Sequence, residues 1–293
     1  MIWLLVCSGN TCRSPMAAAM ARSRLLQAGR PDIAVLSAGL SAAEGDPATP
    51  EAVAAVQAHG LGPLLQKHRA HQLDPADAHA ADRIFAMTRM QAEVLRTRFP
   101  AVAARVETLD PMGDVFDPFG RGQEAYDEVL AQIDQALAHQ IADHSPLRFA
   151  VASDATGAQL ADALARSLRN RPNVILLDRT GGRFVHPGAF AAATAAGAAV
   201  GRGDADFGVV AAQPAPAACI AANRVAGARA AWCRRVGEAR SARAECDANI
   251  LCLSPRGHDP EAAAAICEAF LQTACHGGPA LAWLAELRRR DAT

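Results

Sequence analysis

The chain has 293 residues, 29 Lys and Arg against 30 Asp and Glu, a formal charge of −1, and a content of 51% hydrophobic and 20% charged residues. That is the composition of a globular protein, and the length predicts two domains rather than one. A near-neutral balance without a dense Lys/Arg stripe argues against nucleic acid or a membrane as partner. The apolar run Ile2–Val6 has no basic segment before it and is too short for a signal peptide or a membrane span, so the expected compartment is the cytoplasm. Cys7, Cys12, Cys219, Cys233, Cys246, Cys252, Cys267 and Cys275 show no zinc-ligand spacing. Reduced thiols, with no metal and no cofactor, are expected.

Ile2–Val6 reads as a buried strand, and Met16 to Leu26 as a helix with Pro15 at its first position. Between them lies Cys7-Ser8-Gly9-Asn10-Thr11-Cys12-Arg13-Ser14. A strand, a tight loop and a helix start aim backbone amides at an anion. Gly9 permits the bend, and Asn10 tolerates unusual backbone angles while its side chain can tie the loop together. A thiol in that setting, beside Arg13, is expected to be a thiolate at neutral pH. The Arg13 fork suits two phosphoryl oxygens, and the Ser14 hydroxyl can donate to the thiolate. The string resembles the phosphate loop of the low-molecular-weight phosphatases, Cys-x5-Arg-Ser with an internal Gly-Asn and a second Cys. The resemblance implies a cysteinyl-phosphate mechanism with Cys7 as nucleophile, Arg13 as phosphate clamp, and Ser8 to Cys12 with Ser14 forming the phosphate-binding loop. Cys7 and Cys12 are then able to pair under oxidation.

Asp32 to Ser37 is the next predicted strand, leading into Ser37-Ala38-Gly39, and Thr49-Pro50-Glu51 starts a helix, so the opening is βαβα with a parallel sheet. In Lys67-His68-Arg69-Ala70-His71-Gln72-Leu73, the resemblance puts on His68 a role in bracing the loop from behind, and Ser37 is grouped with it; a surface loop His is the competing reading. Arg83–Met87 is a third strand, Thr88 caps a helix to about Arg98, and Ala104–Thr108 is a fourth strand. Gly113-Asp114-Val115-Phe116-Asp117-Pro118-Phe119-Gly120 supplies a carboxylic acid for the leaving group. The resemblance assigns Asp117, with Asp114 as the nearby competitor and an ordinary Asp-Pro turn as the alternative. Thr11 with Asp117-Pro118-Phe119-Gly120 is similar to the bacterial protein-arginine phosphatases, where phosphotyrosine-directed members have an aliphatic residue and a Tyr. Thr11 and Phe119 are therefore the specificity candidates, for phosphoarginine over phosphotyrosine in a protein substrate. Arsenate reduction is disfavoured, because it needs two relay thiols and no Cys occurs between Cys12 and Cys219.

Gln123 to about His139 is a closing helix, and Asp143-His144-Ser145-Pro146 a linker. The pattern then restarts: strands at Leu147–Ala152 and Asn173–Leu177, others ending near Ala211, Trp232 and Cys252, and a helix from about Pro260 to Thr273. The expected fold is α/β, two doubly wound three-layer α/β/α domains with parallel sheets, over residues 1–143 and 147–293. Ser153-Asp154-x-x-Gly157, Ile220–Ala231 and Asp247–Leu251 make the second domain similar to the ribose-5-phosphate isomerase B family over about Leu147 to Leu287. Ala212 stands where that family has its proton-moving Cys, Ala155 and Arg234 replace two His, and Pro214 and Pro216 remove amides from its anion loop. Cys219 lies seven positions late and reads as a small core residue. The implied domain is a catalytically inactive isomerase relative serving as a homodimer interface, or binding a sugar phosphate as a sensor. A bifunctional phosphatase and isomerase, and a phospho-ligand binder without catalysis, are the alternatives.

Overall fold

The computed structural model describes residues 1–144, 146–171, 173–177 and 185–291. The chain divides into two compact units. The first comprises Met1–His144 and Leu281–Arg289, the latter placed by the sequence reading in the second domain; the second runs up to Ala280 and resumes at Arg290.

In the first unit, β1 (Ile2–Cys7), β2 (Ala34–Gly39), β3 (Arg83–Ala86) and β4 (Val106–Thr108) form a wholly parallel sheet in the order β2-β1-β3-β4. Alternation along β1 decides the two faces. Trp3, Leu5 and Cys7 pack with α1 (Arg13–Gln27), α2 (Pro50–Gln57) and α6 (Gln123–Ala142), while Leu4 and Val6 pack toward α4 (Pro75–Ala80) and α5 (Arg89–Arg98). Both faces are covered, so β1 reads as an unbroken apolar run. The order reverses at β1, and its carboxyl end opens on the crevice where ligands of such sheets bind.

α1 begins at Arg13, earlier than the sequence reading has it, so Pro15 is its third residue. Proline is harmless there because the first-turn amides have no intrahelical acceptor, and the earlier start places Arg13 and Ser14 on the turn that faces the loop. Two short helices fall in what reads as loop, α3 (Gly62–Gln66) and α4. α4 carries a signal of its own, a reciprocal capping box between Asp74 and Asp77 with Pro75 between them.

The second unit holds β5 (Leu147–Asp154), β6 (Val174–Leu176), β7 (Val185–His186), β8 (Phe207–Ala211), β9 (Ala230–Trp232) and β10 (Ile250–Leu253), paired in parallel in the order β6-β5-β8-β10-β9, with β7 extending the carboxyl end of β5. Its helices are α7 (Ala158–Arg169), α8 (Ala189–Gly201), α9 (Ala215–Ala222), α10 (Val236–Cys246) and α11 (Pro260–Leu271); α12 (Pro279–Asp291) ends the described chain. One sheet face packs Phe149, Phe207 and Phe270; the other is largely alanine, from α8 and α9. Arg243 is fully buried, its guanidinium 4.9 Å from the Phe207 ring and 5.6 Å from that of Phe270. Asp247 accepts from Arg243 at 2.7 Å and from Arg229 at 2.6 Å, and holds a left-handed φ of 44° to do so. Removing the shared acid takes the carboxylate away from the fully buried Arg243 and the partly buried Arg229. Asp247→Ala is expected to destabilise the second unit by about 3–5 kcal/mol, read as a lower urea midpoint; a midpoint within error of the parent would contradict the account.

Candidate active site

The loop between β1 and α1 closes on itself through Asn10, which is fully buried at φ 54°. Its backbone N–H donates to Cys7 Sγ at 3.2 Å, its side-chain amide donates to Ser14 Oγ at 2.8 Å, and its Oδ1 accepts the His71 N–H at 2.9 Å. His68 Nε2 lies 2.7 Å from the Asn10 carbonyl, to which it donates. Burial, with Arg22 and Arg69 nearby, holds the His68 pKa below the ordinary value, which keeps the ring neutral and suits that single donation. Ser14 Oγ sits 3.0 Å from Cys7 Sγ and 3.4 Å from the Ala38 carbonyl.

Cys7 lies at the bottom, 1% exposed, with the thiol of Cys12 beside it. Burial, and the neighbouring Cys7, push the Cys12 thiol up to about 11, so at neutral pH it is protonated. Arg13 is 4% exposed and donates to the Val115 carbonyl at 3.4 Å and to Asp117 Oδ2 at 2.6 Å. Its Nε is buried and has no hydrogen-bond partner. The Asp117 side chain is half exposed and takes the Phe119 N–H on its other oxygen at 3.3 Å. Asp114, the competing acid, instead accepts the Arg89 N–H at the start of α5 at 2.8 Å.

Above the loop is a cleft of about 650 Å³ whose walls include Thr11, Asp46, Pro47, Asp117 and Phe119. Phe119 is well exposed at its rim. Thr11 lines this cleft and accepts the Thr49 N–H on its carbonyl at 2.9 Å. Gly9 shares that wall, and Ser8 Oγ accepts from the Gln91 side chain at 3.0 Å. Ser37 is half-buried in β2 opposite Leu5; the β2 contacts to the loop run through the Ala38 carbonyl and Gly39.

Sequence reasoning passes over three supports. Gly39 has no room for a side chain: a Cβ would lie 2.6 Å from the Ser8 carbonyl oxygen. Gln91, on α5, holds Ser8, and His71 holds Asn10. Gly39 had a signal, a glycine ending a strand; for Gln91 none exists, since its partner lies 83 positions away.

At the carboxyl edge of the second sheet the Asp154 carboxylate is fully engaged by its own surroundings. It accepts from Thr156 Oγ1 at 2.6 Å, Gly157 N at 2.9 Å and Gln213 N at 2.9 Å. Burial opposes its charge, but these donors outweigh it and hold the carboxyl below its usual range. Ala212 is fully buried there, and Cys219 lies away on α9, half-buried against the alanine face. The Cys219 thiol donates to the Ala230 carbonyl at 3.2 Å.

On a parallel α/β fold, one loop at a strand's carboxyl end thus brings together a buried thiol that accepts a backbone N–H, a buried guanidinium and a carboxylate at the mouth of a cleft. The family profile of the low molecular weight phosphotyrosine protein phosphatases matches residues 3–145, and that of the ribose/galactose isomerases matches residues 149–286. The probable low molecular weight protein-tyrosine-phosphatase EpsP of Ralstonia nicotianae is 38% identical over 136 residues, 46% of this chain and 89% of that protein. The protein-arginine-phosphatase of Geobacillus stearothermophilus is 37% identical over 141 residues, 45% of this chain and 90% of that one. The solved YwlE arginine phosphatase from the same organism superposes with a TM-score of 0.44 at 32% identity, covering 48% of this chain and 91% of its own. The chain belongs to the low molecular weight protein phosphatase family, which its first half carries, and joins to it an isomerase-family domain. Among the described residues no helix is long and apolar enough to cross a membrane.

Gly39→Ala is expected to displace the Ser8 carbonyl, destabilise the protein by about 1–3 kcal/mol and lower kcat at least tenfold. A crystal structure with an unmoved loop, or a parental kcat, would refute this.

Proposed function

We propose that the first domain hydrolyses phosphoarginine in proteins through a cysteinyl-phosphate intermediate. The observation that carries the phosphatase reading is the buried Arg13 guanidinium, its Nε–H unpartnered, beside Cys7 and 2.6 Å from Asp117. A phosphoryl group entering the cradle gives that donor an acceptor and takes the place of Asp117 on the Arg13 fork. The Cys7 sulfur attacks phosphorus in line; the S–P bond forms as the bond to the leaving group breaks, and Asp117 gives its proton to the departing nitrogen or oxygen. In the second step Asp117 takes a proton from water, whose oxygen attacks phosphorus. The S–P bond breaks, and the Ser14 hydroxyl donates to the departing thiolate. Ser8 to Cys12 supply the amides around the equatorial oxygens, and His68 supports the loop from behind through the Asn10 carbonyl.

The arginine preference draws on the walls of the cleft. Thr11 presents a hydroxyl, and Asp46 and Asp117 bring two carboxylates to one opening, which suits a cationic guanidino group. Among the described residues lining it, Phe119 is the one aromatic, a poor match for gripping a phenyl ring between two faces. Phosphotyrosine is the competing substrate, and the Ralstonia relative is named for it. Purified protein should release phosphate with a burst, which Cys7→Ser abolishes; retained turnover in that variant refutes the mechanism. Phosphoarginine peptides should be turned over faster than phosphotyrosine peptides, and Thr11→Ile should cut the ratio about tenfold. Faster phosphotyrosine turnover, or an unchanged ratio, refutes the preference.

For the second domain we propose a non-catalytic role, homodimerisation first and sugar-phosphate sensing second. Ala212 offers no base where the family has a thiol, and Asp154 spends its acceptors on Thr156, Gly157 and Gln213. Phe190 on α8 and Ile220 on α9 are about two-thirds exposed, at 71% and 69%, which suits a covered surface. Incubation of the full chain with ribose 5-phosphate in heavy water should leave the sugar unlabelled, and sedimentation should give a dimer that Ile220→Glu weakens. Deuterium incorporation refutes the first statement, and a monomeric parent chain the second.

A further inference from the structure

The ring of His71 takes no part in the cradle, yet it is set between two carboxylates that the hydrolytic reading leaves unused. Nδ1 lies 3.2 Å from Glu44 Oε1 and Nε2 lies 2.8 Å from Asp77 Oδ2. A neutral imidazole has one N–H and satisfies one of them; the imidazolium donates to both. Neither acid is free to turn away. Asp77 is buried and its Oδ2 also accepts the Asp74 N–H at 3.2 Å, as half of the α4 capping box. Glu44 takes the Gln72 N–H on its second oxygen at 2.7 Å.

The main chain of the same residue is the support of Asn10. The His71 N–H reaches Asn10 Oδ1, and its carbonyl accepts the Gly39 N–H at 2.9 Å, so one residue's main chain grips the loop and the glycine against which the loop packs. Asn10 in turn directs its N–H at Cys7. We propose that His71 is a positioning residue for phosphoryl transfer: its imidazolium, clamped between Glu44 and Asp77, fixes the strap that holds Asn10, and through Asn10 the Cys7 sulfur. The proposal rests on the reading of Cys7 as the nucleophile.

The charged groups facing the ring are Glu44 from the loop after β2 and Asp77 from α4, with Asp74 behind it. On the strap itself Arg69 is occupied by the Gln66 and His68 carbonyls, and His68 is turned to Asn10. Burial works against the imidazolium, but the two carboxylates outweigh it and raise the His71 pKa above its ordinary value of 6.5. The sign follows: the clamp is complete below that raised pKa and is lost as pH rises through it. His68, shifted the other way, is neutral earlier in the same titration.

The test is the pH profile of kcat and KM for p-nitrophenyl phosphate on the full chain, with the His71 ring protons followed by NMR. His71→Gln is expected to lower kcat about tenfold with KM changed less than twofold, and to remove the alkaline limb. His71→Arg, always charged and able to reach both acids, is expected to recover the lost kcat with no alkaline limb, and Glu44→Gln to move the limb and the NMR titration to lower pH together. A His71→Gln enzyme with parental kcat and limb, or a limb that persists in His71→Arg, overturns the proposal while leaving Cys7 chemistry intact. Absence of hydrolysis by the parent chain overturns the phosphatase reading and this one with it.

Discussion

One residue in a left-handed conformation carries the geometry of the first domain. Asn10 at φ 54° turns its N–H toward Cys7, its amide toward Ser14 and its Oδ1 toward the His71 N–H. Such an angle is unfavourable for a residue with a side chain and persists because the surroundings over-determine it. The consequence is a concavity that exists before any ligand arrives. Preorganised donors of this kind need no rearrangement as charge develops on a phosphoryl group.

Arg13 adds the second constraint. A guanidinium held at 4% exposure with one unpartnered N–H is stable only beside acidic or carbonyl oxygens, and Val115 and Asp117 provide them from one segment. The contact therefore does two things at once: it compensates a buried cation and brings the half-exposed carboxylate to the mouth of the cleft. Asp114 lies three residues earlier on the same segment and is drawn off to the α5 terminus. Neighbouring acids acquire different capacities through the donors that meet them.

The second domain repeats the sheet logic with different residues at its carboxyl edge. Its strands end at a carboxyl edge suited to ligands, but Asp154 is turned inward by Thr156, Gly157 and Gln213 and stabilises the turn it belongs to. Gly157 marks how close that packing is, since a Cβ there would lie 1.9 Å from the Ala211 carbonyl oxygen. The alanine-rich face lets α8 and α9 approach closely, and the buried Arg243–Asp247 pair anchors the opposite face.

The sequence by itself determined the architecture and the local design of the loop. Apolar runs of strand length alternating with helix-forming stretches dictate parallel sheets, and a Gly-Asn pair between β1 and α1 dictates a bend, because those signals act over a few residues. It missed α3 and α4, whose few residues give no usable period, and it started α1 late because Pro15 reads most naturally as a first residue. Only the tertiary structure decided which distant groups meet. Asp117 reaches Arg13 across 104 positions, Gln91 reaches Ser8 across 83, and the His71 amide reaches Asn10 across 61. Nothing in their spacing encodes these meetings, since they follow from where the sheet order and the packed helices place each carboxyl-edge loop. Cys7 and Arg13 were legible as a pair because one short loop holds both; the supports that fix their geometry come from the rest of the fold.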